Sequence, residues 1–231
     1  MNAGGQTPFV STLIIAPMRN NRLKLLVAGV VLAGVSLWML PAIRDNFAAV
    51  LPGRVYRSGQ LSADALERYI RQYGLRSIIN LRGSNPEFPW YRDERDIAQG
   101  CAVRHYDIGL DSRYPYVEEL REVIETLETC PKPVLCHCGS GVDRTGTVAA
   151  VAVLLDEAGA LTEAEKHFGL RHLQLAWRPN AVTQRAFLAM YREWLARHDL
   201  GHTPAHFREW ALHAYERPPD EPPAFTSREQ R

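Results

Sequence analysis

Between residues 50 and 215, short apolar runs alternate with longer segments whose apolar positions recur every three to four residues. The short runs Arg54–Arg57, Ser77–Leu81, Ala102–Tyr106 and Pro133–His137 predict β-strands. The longer segments, 62–73, 90–99, 116–129, 144–158, 180–198 and 204–215, predict helices. This alternation predicts an α/β domain with a central mixed sheet flanked by helices. No internal repeat accompanies it.

The pattern changes at both ends. Residues 25–43, LLVAGVVLAGVSLWMLPAI, carry no charge, and at about 1.5 Å per residue they nearly match a hydrocarbon core of about 30 Å. With Arg19, Arg22 and Lys24 before them, they have the form of a signal peptide or signal anchor. The exit Leu40-Pro41-Ala42-Ile43-Arg44 offers no clean small-x-small cleavage site, so an uncleaved transmembrane helix at 23–43 is expected, behind a disordered leader at 1–22. Residues 216–231 hold Pro218, Pro219, Pro222 and Pro223 among charges, a composition that cannot build a core, and are expected to be a disordered tail. The domain proper is placed at 50–215.

Composition narrows the function. Apolar residues make up 46% and charged residues 23% of the chain, which excludes a wholly disordered or polytopic membrane protein. Lys and Arg number 27 against 26 Asp and Glu, so no global field recruits nucleic acid and any anion site must be local. Four cysteines, Cys101, Cys130, Cys136 and Cys138, are too few for a disulfide scaffold.

The local site is found in Pro133-Val134-Leu135-Cys136-His137-Cys138-Gly139-Ser140-Gly141-Val142-Asp143-Arg144-Thr145-Gly146, where a buried strand runs through a tight turn into an apolar helix. Gly139 and Gly141 permit positive φ and close backbone approach, so successive N–H groups of residues 139–144 can point into one concavity. The helix start adds unpaired amides and the positive end of its dipole. A thiol at Cys138 is stabilised there as the thiolate, the form that attacks phosphorus. Arg144, six positions on, can hold two oxygens of a phosphate with its planar fork. Thr145 can donate to Cys138 and help it leave in a second step.

Competing readings of the same residues fit less well. Zinc held by Cys130, Cys136, His137 and Cys138 suffers from strand neighbours that face opposite sides and from the lack of a second Cys pair. A nucleotide P-loop would need Lys after its second glycine. Cys136 is expected to be a buried structural thiol pointing away from Cys138. The remaining histidines, His167, His172, His198, His202, His206 and His213, are scattered without ligand geometry, and Trp90 and Tyr91 are expected in the core or on the rim of the site.

His137-Cys138-x-x-Gly141-x-x-Arg144-Thr145-Gly146 resembles the HCxxGxxRTG signature of cysteine-dependent protein tyrosine and dual-specificity phosphatases. Gly53-Arg54-Val55-Tyr56-Arg57-Ser58-Gly59-Gln60 and Ile78-Ile79-Asn80-Leu81-Arg82 are similar to two segments of the atypical dual-specificity group of bacteria, fungi and plants, so the resemblance covers roughly 53–200. It implies a compact cysteine-phosphatase fold, Cys138 as nucleophile, Arg144 as phosphate binder, His137 ordering the loop, and neither metal nor cofactor. Relatives acting on highly phosphorylated inositols often carry Lys or His where this chain has Ser140 and Val142. The pair Asp143-Arg144, in contrast, is similar to several phosphoinositide phosphatases.

A poor leaving group needs a proton, usually from a carboxylic acid on a loop facing the nucleophile. Asp111 lies in the segment between the strand at 102–106 and the helix at 116, 27 residues before Cys138, near the family's spacing. It ranks first for this role, ahead of Asp107 at the strand end and Asp143. The expected activity is hydrolysis of phosphomonoesters on proteins or small molecules through a phosphocysteine. Phosphoinositide or inositol-phosphate hydrolysis is one alternative, and a non-catalytic phosphate-binding module is another. Rhodanese or arsenate reductase chemistry fits the His-Cys start and Thr-Gly continuation less well. Arg19, Arg22 and Lys24 crowd the N-terminal side of the span, against the more dispersed Arg44, Arg54 and Arg57, so residues 44–231 are expected on the outer, periplasmic face of a cell membrane. A catalytic thiolate favours the reducing cytoplasmic side instead.

Overall fold

The computed structural model describes residues 25, 27–30, 45–169, 172 and 179–219. The chain divides into two units, Met1–Leu40 and Pro41–Arg231. Of the first, residues 25 and 27–30 are described, and they are helical. The rest of the expected span, the leader at 1–22 and residues 220–231 of the tail lie outside the described residues. Among the described residues, no helix is long and apolar enough to cross a membrane.

The second unit is built on a mixed sheet of five strands: β1 (Ala48–Leu51), β2 (Val55–Ser58), β3 (Ser77–Asn80), β4 (Arg104–Asp107) and β5 (Val134–His137). Their order is β1-β2-β5-β3-β4, with β1 antiparallel to β2 and all other pairings parallel. The helices are α1 (Ala63–Tyr73), α2 (Pro89–Gly100), α3 (Val117–Thr129), α4 (Asp143–Leu154), α5 (Leu161–Glu165), α6 (Pro179–Arg197) and α7 (Pro204–Glu209). Ser62 caps α1 by accepting a bond from the Ala65 amide, and Gly74 closes it in the left-handed conformation that glycine adopts without strain.

β2, β3 and β5 are buried along their whole length, as parallel strands covered by helices on both faces require. On one face Tyr56, Ile78 and Leu135 pack with Leu66 and Ile70 of α1 and Ala98 of α2. On the other, Val55, Ile79, Val134 and Cys136 pack with Leu120 and Ile124 of α3, Val148 and Val151 of α4 and Phe187 and Tyr191 of α6. Each of these three strands finishes polar, in Arg57-Ser58, Asn80 and His137, all buried. Burying polar groups is costly without hydrogen-bond partners, so those partners must be built in at this end of the sheet. The loops that follow β2, β3, β4 and β5 all emerge there, as in other parallel sheets that bind ligands beyond their carboxyl ends.

The short helix α5 falls outside every helix expected from sequence, and four further features differ from that expectation. The edge strand β1 was not expected, because Ala48-Ala49-Val50-Leu51 lacks both alternation and β-branched density. α4 stops at Leu154 rather than 158, where Asp156 organises a turn by accepting from the amides of Ala158 and Gly159. The segment 204–215 divides into α7 and a wider turn at Trp210–Ala214, closed by the Tyr215 amide on the Trp210 carbonyl at 2.6 Å. Cys136 does not point away from Cys138: alternation sends His137 to the other face and returns Cys138, so both thiols join the same apolar cluster.

Candidate active site

The loop 138–142 links β5 to α4 at the centre of the sheet. Its carbonyls are held from outside. Gly139 O accepts from the Gln60 amide at 2.9 Å. Ser140 O and Gly141 O accept from Asn46 Nδ2 at 3.2 and 2.9 Å. Gly141 O also accepts from Arg57 Nη2 at 2.6 Å. Peptide planes fixed in this way direct their amides to the opposite side, into the concavity in front of Cys138. The start of α4 adds its own unpaired amides.

Gly141 takes φ +69°, and a Cβ there would sit 2.5 Å from the amide nitrogen of Gly59. Gly59 is less tightly confined, its missing Cβ 3.2 Å from the carbonyl oxygen of Gly139. Gly139 is not in the left-handed region, so only one of the two expected glycines uses its conformational freedom.

Cys138 is buried at the base of the loop, while Gly139 and Ser140 are exposed at its rim and Val142 is buried beneath it. Asp143 and Arg144 are half-buried on the first turn of α4. Arg144 Nη1 donates to the Leu81 carbonyl at 3.1 Å, which fixes the arginine against the loop after β3. The Thr145 hydroxyl donates to the Ser58 carbonyl at 3.4 Å, a different partner from the Cys138 thiol expected from sequence.

His137 is anchored through Glu94 of α2. Glu94 Oε1 lies 3.0 Å from His137 Nε2 and 2.8 Å from His105 Nε2, and its Oε2 accepts from Gln60 Nε2 at 2.8 Å. Gln60 Oε1 in turn accepts from Arg82 Nη1 at 2.9 Å, and the Arg82 guanidinium carbon lies over the Trp90 ring, 3.6 Å from its centroid. Burial alone would raise Glu94, but the two imidazoles override it and hold the carboxyl well below the usual carboxylate range. Arg82 is lowered by burial and then by the charge of Arg144, whereas Cys138 and Glu94 act in the opposite sense. The Arg82 and Arg144 guanidinium groups are thus close enough to act on each other, and Arg82 on Cys138.

Behind the loop, Arg57 is fully buried. Burial pushes its guanidinium down to about 10, against the charges of Cys138 and Cys136. Burial also pushes the Cys136 thiol up to about 12.

The aspartates divide by their partners. Asp107 at the end of β4 accepts from Asn80 Nδ2 at 2.9 Å and from the Tyr91 hydroxyl at 2.5 Å, so it ties three elements together. Asp111 Oδ1 accepts from the amides of Arg113 and Tyr114 at 2.7 and 3.3 Å, and Oδ2 lies 3.6 Å from Arg217. Among the described residues, no group of three or more His, Cys, Asp or Glu could hold a metal ion.

Glu94, Gln60, Asn46, Arg57 and Arg82 were not selected as site residues from sequence. Two of them carried a signal. Arg57 interrupts an apolar strand, and Glu94 shares the buried face of α2 with Tyr91 and Ala98 at helical spacing.

Residues 42–164 match the tyrosine phosphatase family. The inositol diphosphatase DSP1 of Oryza sativa subsp. japonica is 34% identical over 109 residues, covering 45% of this chain and 46% of that protein. The chain thus spans about half the length of this relative. The core catalytic domain of the PP-IP phosphatase SIW14 from S. cerevisiae, solved with citrate, superposes with a TM-score of 0.52 at 19% identity. That alignment covers 67% of this chain and 93% of the other, and it supports the fold.

The buried Glu94 cluster makes a prediction. A carboxyl held below its usual range in the folded state contributes stability that is full above about pH 5 and is lost as pH falls through the carboxylate range. Glu94→Gln should cost about 3–5 kcal/mol at neutral pH, as expected for breaking a buried pair on one side. Denaturant melts at a series of pH values should show this difference shrinking on acidification; a difference unchanged down to about pH 3 would contradict the account.

Proposed function

Since the chain belongs to the tyrosine phosphatase family, we propose that it hydrolyses phosphomonoesters through a phosphocysteine at Cys138. The observation that carries this reading is the inward-facing amide loop over a buried cysteine, with Arg144 fixed beside it. The amides and Arg144 bind the three non-bridging oxygens. The Cys138 thiolate attacks phosphorus, an S–P bond forms, and the ester P–O bond breaks. The leaving oxygen takes a proton from a carboxylic acid. Water then attacks phosphorus, gives its proton to that carboxylate, and the S–P electron pair returns to sulphur as inorganic phosphate departs. Loop amides and Arg144 serve both steps because both concentrate charge on the same equatorial oxygens.

Asp111 is the proposed acid. Asp107 is already committed to Asn80 and Tyr91, whereas Asp111 sits on the loop after β4, at the sheet end where the cysteine loop emerges. Its turn and its contact with Arg217 would have to open for it to reach the leaving oxygen. We further propose that the domain placed at 50–215 from sequence, which in the structure also takes in Asn46 and β1, is tethered to a membrane through 23–43.

A second reading is favoured by Arg82. The loop itself carries no Lys or His, but Arg82, from another element, brings a second guanidinium whose charge acts on Cys138 and Arg144. This suits a substrate with another phosphate next to the reacting one, such as an inositol phosphate or diphosphate.

Cys138→Ser should leave less than about a hundredth of wild-type turnover on an aryl phosphate while phosphate binding persists, because a serine hydroxyl does not ionise there. Asp111→Asn should slow a tyrosyl or alkyl phosphate about 10²–10⁴-fold and an activated aryl phosphate far less; an equal loss on both would mark Asp111 as a turn residue only. Arg82→Gln, assayed on an inositol diphosphate and on an aryl phosphate, should raise KM about tenfold or more on the first and little on the second if the second reading holds.

A further inference from the structure

Arg57 is the largest fully buried side chain among the described residues, and its surroundings are unusual for a permanent cation. It pairs in register with Cys136 across the β2–β5 ladder, so both side chains leave the sheet on one face, the face to which Cys138 returns two residues later. Nη2 donates to Gly141 O at 2.6 Å. Nη1 donates to His167 O at 3.2 Å and lies 3.2 Å from His167 Nδ1. Nε is buried and has no partner. Among the described residues, no carboxylate lies within ion-pairing distance of Arg57. Dipoles alone compensate a buried charge poorly, and an arginine does not shed its proton to escape.

The groups around the cysteine loop differ in what reaches them. Arg144 on α4 and Arg82 after β3 approach from the open side, where solvent and the substrate's own oxygens compete for them. Glu94 on α2 reaches the loop through His137 and Gln60. His167 lies behind Arg57. Cys136, in the same apolar cluster, is kept as the thiol by burial. Cys138, which returns to the face that carries Arg57, is the side chain whose charge acts on that guanidinium most strongly, ahead of Cys136.

Taking Cys138 as the nucleophile proposed above, we infer that Arg57 is a positioning residue that serves as the buried counter-ion of the Cys138 thiolate and, through Gly141, holds the loop amides toward the phosphate. Arg57 lies where substrate cannot reach it. When the incoming phosphate dianion draws on Arg144, the thiolate keeps its cation. When the S–P bond breaks in the second step and the electron pair returns to sulphur, the same cation stabilises the departing thiolate. This is the task that the sequence had suggested for Thr145, whose hydroxyl is bonded to Ser58.

The test is the rate of Cys138 alkylation by iodoacetamide between about pH 4 and 9, followed by mass spectrometry on the full chain, with circular dichroism to establish folding. In Arg57→Met the midpoint of the pH profile should rise by about one unit or more, and Arg57→Lys should restore most of it, because the charge returns without the fork. A folded Arg57→Met variant with the wild-type midpoint overturns the inference. Should that variant fail to fold, Arg57→Lys carries the test: a midpoint near wild type, with phosphate affinity reduced through the lost Gly141 bond, supports the inference. A Lys midpoint displaced up to that of Cys101 overturns it. If wild-type Cys138 itself alkylates with the profile of Cys101, the nucleophile assignment fails and takes the inference with it. A low wild-type midpoint that Arg57→Met does not move overturns the inference alone.

Discussion

A peptide plane has two polar ends, and the chain can aim one inward only by securing the other outward. The cysteine loop depends on this constraint. Its amides can face a phosphate because Gln60, Asn46 and Arg57 take its carbonyls on the far side. These three residues come from the segments that precede, form and follow the β1–β2 hairpin, so the hairpin is the mould of the loop. The parallel pairing of β2 with β5 then fixes how deep the loop sits.

The second organising group is Glu94, which draws four side chains from different elements onto one carboxylate or its immediate partner. His137 leads to the loop, His105 to β4, and Gln60 to the hairpin and, through Arg82, to the rim. The arrangement puts one buried anion at the junction of all the strands that end at the site. It also accounts for the polar finish of β5: His137 can be buried because its ring has a partner that burial cannot neutralise.

The loop was legible in the sequence because it is contiguous. Cys138, Gly141 and Arg144 declare themselves by spacing along one strand-turn-helix unit. The supporting residues are distant in sequence, Asn46 by more than 90 positions from the carbonyls it holds, and spacing carries no information about them. The major helices were visible through their period and the parallel strands through their apolar density, whereas β1, an edge strand of four small or aliphatic residues, left neither trace. The relation of Cys136 to Cys138 follows from alternation alone, since residues two apart on a strand share a face. The preference among aspartates depended on partners that only the folded chain reveals, namely Tyr91 and Asn80 for Asp107 and Arg217 for Asp111.

The contact between Gly59 and Gly141 has an implication for how such a site can diversify. Main chain meets main chain there with no room for a methyl group on Gly141. The floor of the cradle is thus a fixed gauge, set by atoms that every residue shares and that substitution cannot resize. Variation has to be written on the rim instead, where Ser140 is exposed and Arg82 rests on Trp90. A lineage built on this chassis would keep the reacting phosphoryl group constant and change the identity of whatever is attached to it.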